Sequence, residues 1–110
     1  DYMLQTFTRV IDKLLVYPDK MMADLNLTGG LIYSPIILNT LVEKGAVREQ
    51  AYRWVQRNAM KRWIDGEDFL ENLKKDEDVK QYMTEAEIEG CFDVKKMLSH
   101  VDTIFARFGI

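Results

Sequence analysis

The sequence predicts an all-α fold, a small helical domain of about six to seven helices. Three observations carry this reading. Apolar residues recur at three- and four-residue steps through most of the chain, the spacing of one helix face. Helix start and stop signals punctuate those runs at Pro18, Ser34-Pro35, Gly45, Asp65-Gly66, Thr84 and Asp93. No strand signal survives: LIYSPIIL is apolar enough, but Pro35 in its middle removes a ladder donor. At 47% apolar the 110 residues have enough material for one core, and a chain of this size buries roughly two-thirds of its unfolded surface.

Asp1 to Val16 reads as helix, with Met3, Phe7, Val10 and Leu14 at the seam spacing of packed bundle helices. Leu4, Ile11 and Leu15 widen the stripe, so it calls for more than one neighbouring helix. The periodicity is in phase from the first residue and no initiator Met precedes it. The expectation is a chain cut inside a longer bundle helix. Pro18 ends this helix and serves as first residue of the next, with Asp19 at the positive end of its dipole. Thr28-Gly29-Gly30 terminates that second helix. The next runs from Ser34 to Lys44, capped by Ser34 with Pro35 as its first residue, and Gly45 ends it in the left-handed region.

Arg48 to Ile64, REQAYRWVQRNAMKRWI, is the central helix, rich in strong helix formers and free of Gly and Pro. Tyr52, Val55, Ala59 and Trp63 line its expected apolar side, widened by Ala51, Met60 and Ile64. Trp54 sits off that stripe and needs a second neighbour, or a second chain. Beyond Asp65-Gly66, Asp68 to Lys75 reads as a short helix with Phe69, Leu70 and Leu73 inward, and Lys74 to Lys80 as a solvated turn. Thr84 and Glu87 form a capping box for a helix from Glu85 to Gly90. Asp93 caps another through Leu98, and Val101 to Phe108 closes the chain.

The net charge of −3 supplies no basic excess to drive counterion release, which argues against a nucleic-acid or anionic-membrane partner. No apolar run is long enough to span a bilayer. Lone Cys91 cannot form an internal disulfide, which fits a reduced, cytoplasmic setting.

Few residues offer chemistry. His100 is the only histidine, and its one nearby carboxylate, Asp102, is too near in sequence to face it on a helix. Cys91, between Gly90 and Phe92, lacks a basic neighbour to lower its pKa and reads as a buried small hydrophobe. Neither has partners at metal-ligand spacing. Thr28-Gly29-Gly30 ahead of a helix resembles a phosphate cradle but lacks the lysine and the preceding strand, so a plain helix-to-helix turn is the better reading, with a backbone hinge close to a bound substrate as the alternative. Arg48, Arg53, Arg57, Lys61 and Arg62 make the central helix basic, with acidic segments on either side to pair with them. The six methionines, spread over several elements, read as core filler. On residues alone the expected catalytic, cofactor and metal sites are none.

A resemblance adds the rest. LTGGLIYS, LVEKG, REQAYRWVQRNAM and HVDTIFARFG, in this order, resemble the C-terminal part of the adenylosuccinate lyases of the fumarase/aspartase superfamily. The opening DYMLQTFTRVIDKLLVYPDKMMADL resembles the end of that family's long central helix and the entry to its C-terminal domain. The resemblance implies a division into 1–16, the end of the central helix, and 17–110, the C-terminal helical domain. It implies a homotetramer whose central helices form a bundle, acting on purine nucleotide substrates without a cofactor. The implied reaction releases fumarate from adenylosuccinate and from a succinyl-carboxamide ribotide: a base takes a proton beside a carboxylate and an acid protonates the leaving nitrogen. The family's catalytic serine lies on a Ser-Ser-x-Met-Pro-x-Lys-x-Asn-Pro loop that this sequence lacks, and its catalytic histidines lie in earlier domains. No catalytic residue is therefore carried over, His100 included, and the segment is expected to be an inactive buttress and lid. Pro35 and Ile36 stand where relatives carry Gln and Arg, and Val47 stands where they often carry a Ser or Thr cap. The competing expectation is an independent helical interaction module of shared ancestry.

Overall fold

The computed structural model describes residues 1–110. It contains helices and no strand. Two helices, α1 (Tyr2–Asp12) and α2 (Pro18–Leu25), precede a 3-10 turn at Leu31–Tyr33 that runs into α3 (Ser34–Glu43). Next comes α4 (Arg48–Met60), which widens into a π-helical turn, Lys61–Asp65. Five short helices follow: α5 (Phe69–Lys75), α6 (Glu77–Lys80), α7 (Glu85–Cys91), α8 (Val94–Met97) and α9 (Val101–Ala106).

The core sits where α3, α4, α5, α6 and α7 converge. Ile37 and Leu41 of α3 meet Ala51 and Val55 of α4, Phe69 and Leu73 of α5, Val79 of α6, and Ile88 and Cys91 of α7. Met83 and Ala46 complete it from the connections. Phe92 bridges this core to the 3-10 turn, its ring 5.0 Å from Tyr33 and 5.8 Å from Phe69. The capping signals explain why such short helices persist. Asp68 accepts from the Glu71 amide at 2.9 Å, and Asp93 from the Lys95 amide at 2.9 Å. The capping box closes as expected: Glu87 accepts from the Thr84 amide at 2.9 Å and Thr84 from the Glu87 amide at 3.3 Å. Gly45, at φ +98°, turns the chain from α3 into α4.

The structure differs from the sequence reading in several places. The nine α-helices exceed the six to seven expected, and one of them, α6, exists because Lys74–Lys80 does not stay a solvated turn. Asp76 caps α6, and Val79 is fully buried against the core. The first helix stops at Asp12, four residues before Val16. Leu14, Leu15 and Val16 find nothing to pack on, and a short helix without tertiary contacts does not sustain further turns. Ser34 lies inside α3 instead of capping it, its Oγ donating back to the Leu31 carbonyl at 2.7 Å.

On α4 the buried side keeps only part of the expected stripe, Ala51, Val55 and the partly buried Ala59. Ala51, Val55 and Asn58 point inward, while Tyr52, Met60, Trp63 and Ile64 are exposed, Trp63 at 71%. α3, α5 and α6 set the inner side of α4, so the wide aromatic stripe faces away from this core. Trp54 does find its second neighbour within the chain, stacking 5.7 Å from Tyr82. Helix α7 continues one residue past Gly90, and α9 ends at Ala106 short of Phe108. Of the methionines expected as core filler, only Met83 is buried.

The molecule is elongated, 59 × 32 × 23 Å. No residue of α1 or α2 is buried, so residues before the Gly29-Gly30 turn form an arm projecting from the core.

Candidate functional site

The most constructed polar site lies where α4 faces the α5–α6 junction. Asp76 is a carboxylate at 8% exposure, and five donors converge on it. Arg57 reaches both oxygens as a fork, Nε to Oδ2 at 2.9 Å and Nη2 to Oδ1 at 2.5 Å. The Asn58 amide donates to Oδ2 at 2.5 Å and to the Trp54 carbonyl at 2.9 Å. The Asp78 and Val79 backbone amides donate to Oδ1 at 3.1 and 3.4 Å, which makes Asp76 the N-cap of α6. Asp78 takes a second bond from Arg57 at 2.6 Å.

Burial alone pushes the Asp76 carboxyl upward, but hydrogen bonds from Arg57 and Asn58 and the nearby guanidinium charge outweigh it. The group is held below its ordinary range. Arg57 is shifted upward by its bonds to Asp76 and Asp78. The cluster opens onto a depression of about 770 Å³ walled by Lys61, Glu67, Glu71, Asn72, Lys75 and Glu77, with no hydrophobic lining residue. A paired, ionised cluster in an open polar basin has no proton to exchange near neutral pH and no apolar wall to exclude water. It joins helices.

Two more ion pairs act the same way. Lys44, just past α3, meets Glu87 of α7 at 2.5 Å. That lysine, with the Thr84 amide and hydroxyl, pulls the Glu87 carboxyl down to about 2. Lys74 bridges Glu89 of α7 at 2.7 Å and Glu71 at 3.2 Å, and the two bonds raise its pKa.

The residues singled out in the sequence are not assembled. His100 is exposed at the start of α9 and makes no cap bond. Cys91 is buried beside the Thr40 hydroxyl, 3.7 Å away, as a small core residue. The basic residues of α4 and the π-helical turn after it divide: Arg57 joins the Asp76 cluster, Arg62 folds over Gly29, and Arg48 and Arg53 flank an outer groove with Leu38 and Tyr52. Thr28-Gly29-Gly30 packs against Arg62 and Phe92. No group of three or more His, Cys, Asp or Glu side chains is arranged to hold a metal ion. Sequence reasoning missed Asp76, Asn58 and their coupling to Arg57. A signal was there: Asp76 stands as a helix cap before Glu77-Asp78-Val79, and Asn58 lies at helical spacing from Ala51 and Val55.

The family model described as adenylosuccinate lyase C-terminus matches residues 30–108. Adenylosuccinate lyase of Thermotoga maritima is 45% identical over 107 residues, which is 97% of this chain and 25% of that relative. The chain thus spans about a quarter of the length of this curated relative. The match covers both the buried core and the short capped helices around it, and on that basis the chain belongs to the adenylosuccinate lyase family, as its C-terminal domain.

Proposed function

We propose that this chain works as the non-catalytic C-terminal part of an enzyme that eliminates fumarate from adenylosuccinate, giving AMP, and from a succinyl-carboxamide ribotide. Residues 1–16 are the end of a central-domain helix in this reading, and 17–110 are the C-terminal domain. The observation that carries it is the near end-to-end match to one quarter of a lyase. The arm supports it: Met3, Leu4, Phe7, Val10, Ile11 and Leu14 are all more than half exposed. Such a stripe is a packing surface awaiting helices. The rest of the lyase chain and its other subunits, a homotetramer in the cytoplasm, supply those helices in this reading. No helix here is long and apolar enough to cross a membrane.

The base that removes the proton beside the carboxylate and the acid that protonates the departing nitrogen belong to the remainder of the enzyme. The C-terminal helices buttress and cover that site. The test is spectrophotometric: the purified chain, incubated with adenylosuccinate, releases no fumarate. Release of fumarate by a preparation free of host lyase overturns the assignment of a non-catalytic role.

A further inference from the structure

The Thr28-Gly29-Gly30 turn does more than end α2. The carbonyl of Asn26 accepts from the Gly29 amide at 2.9 Å, closing one turn, and the carbonyl of Gly30 accepts from the Tyr33 amide at 3.0 Å, closing the next. The two closed turns abut at the Gly29–Gly30 peptide. Both glycines adopt positive φ, +60° and +86°, where a side chain is strained. Their surroundings differ. A Cβ on Gly30 would strike the Phe92 ring at 2.7 Å, so Gly30 is seated on the core. A Cβ on Gly29 would strike the Arg62 guanidinium, its Cζ and Nη2 at 2.5 Å. Arg62 lies in the π-helical turn that follows α4, and its Nη1 donates to the Gly66 carbonyl at 3.1 Å. A π-helical turn shifts the angular phase of the residues it contains, and here it accompanies the aim of Arg62 at the arm side of the joint. Neither α1 nor α2 has a buried residue to fix the arm independently.

We propose that Gly29-Gly30 is a hinge between the arm and the core, and that the Arg62 guanidinium, seated on Gly29, is the stop that sets its angle. Arg62 is a positioning residue: it orients α2 by occupying the space a flexed turn would enter. The inference concerns this chain alone and stands apart from the lyase assignment.

The test places nitroxide labels on Lys20→Cys in α2 and Gln56→Cys in α4, both exposed positions, and measures the distance distribution between them. Cys91 is buried and does not compete for label. In the parent chain the distribution is narrow. Arg62→Ala broadens it while the thermal midpoint of the core is unchanged. Arg62→Lys, which keeps the charge but loses the planar group, leaves it broad. Gly29→Ala displaces its mean, and in the Arg62→Ala background the same substitution displaces it less, because the side chain it collides with is gone. Unaltered distributions in both Arg62→Ala and Gly29→Ala refute the hinge. A lowered midpoint with an unaltered distribution refutes the positioning role and leaves Arg62 an ordinary stabilising contact.

Discussion

Replacing Asp76 with Ala should be the most informative change to a charged residue in this domain. The carboxylate caps α6, and losing such a cap costs about 1 kcal/mol. It is also the common acceptor for Arg57 and for the Asn58 amide, which is itself 1% exposed. Hydrogen bonds to a charged group contribute roughly 1.5–3 kcal/mol each. That figure does not apply in full here. The Arg57 side chain is 48% exposed and retains Asp78 and water, while Asn58 retains the Trp54 carbonyl. The expected total is therefore about 2–4 kcal/mol. At roughly 4 °C per kcal/mol for a domain of this size, the thermal midpoint falls by about 8–16 °C. Asp78→Ala is the internal control: its side chain is 40% exposed, and a pair of that kind contributes about 0–1 kcal/mol. Asp76→Asn keeps a capping oxygen and loses the charge, so it falls between the two. Urea unfolding followed by circular dichroism measures all three. If Asp76→Ala proves no worse than Asp78→Ala, the cluster does not hold α6 to α4 and the reasoning fails.

Other outcomes follow from the same structure. Phe69→Ala, at a fully buried position, should destabilise by about 3–5 kcal/mol in the same assay. Thr84→Ala opens the capping box and should cost about 1 kcal/mol, with the loss of helicity confined to α7 in hydrogen exchange. Acid unfolding has a defined direction. Glu87 and Asp76 are both held below their unfolded values, so their contributions are present above the unfolded pKa and lost as pH falls through the folded one. For Glu87 that window runs from 4.5 down to about 2. Lys44→Met should flatten the acid limb of stability against pH, and a limb unchanged by that substitution counts against the Lys44–Glu87 pair. Trp63→Ser, at 71% exposure, should alter the stability of this chain by less than about 0.5 kcal/mol.

The local signals read well because they depend on neighbours in sequence. The capping box at Thr84, the Asp68 and Asp93 caps, and Gly45 needed only residues three or four positions apart. The inner side of α4 read only in part, and the reason is physical. Tyr52, Trp63 and Ile64 are apolar at helical spacing, but periodicity reports that a face is apolar and not which neighbour covers it. Core geometry kept Ala51 and Val55 of that stripe, packed Ala59 against them, and added Asn58. Lys74–Lys80 was misread because its charge density masked a cap and one decisive apolar residue, Val79. The Asp76–Arg57 pairing joins positions 19 residues apart and needs the turn of the chain at Gly66 to exist. The wide stripe on the first helix was legible, and so was its lack of partners within this chain.

The central claim, that these helices complete a lyase without performing its chemistry, is tested most directly by substitution into the Thermotoga maritima enzyme. Its matched quarter is replaced by residues 1–110 of this chain and fumarate formation from adenylosuccinate is followed. The account predicts a chimera that converts adenylosuccinate and retains that activity when His100→Ala is introduced. A chimera that folds and assembles yet forms no fumarate would contradict it, as would activity that disappears with His100.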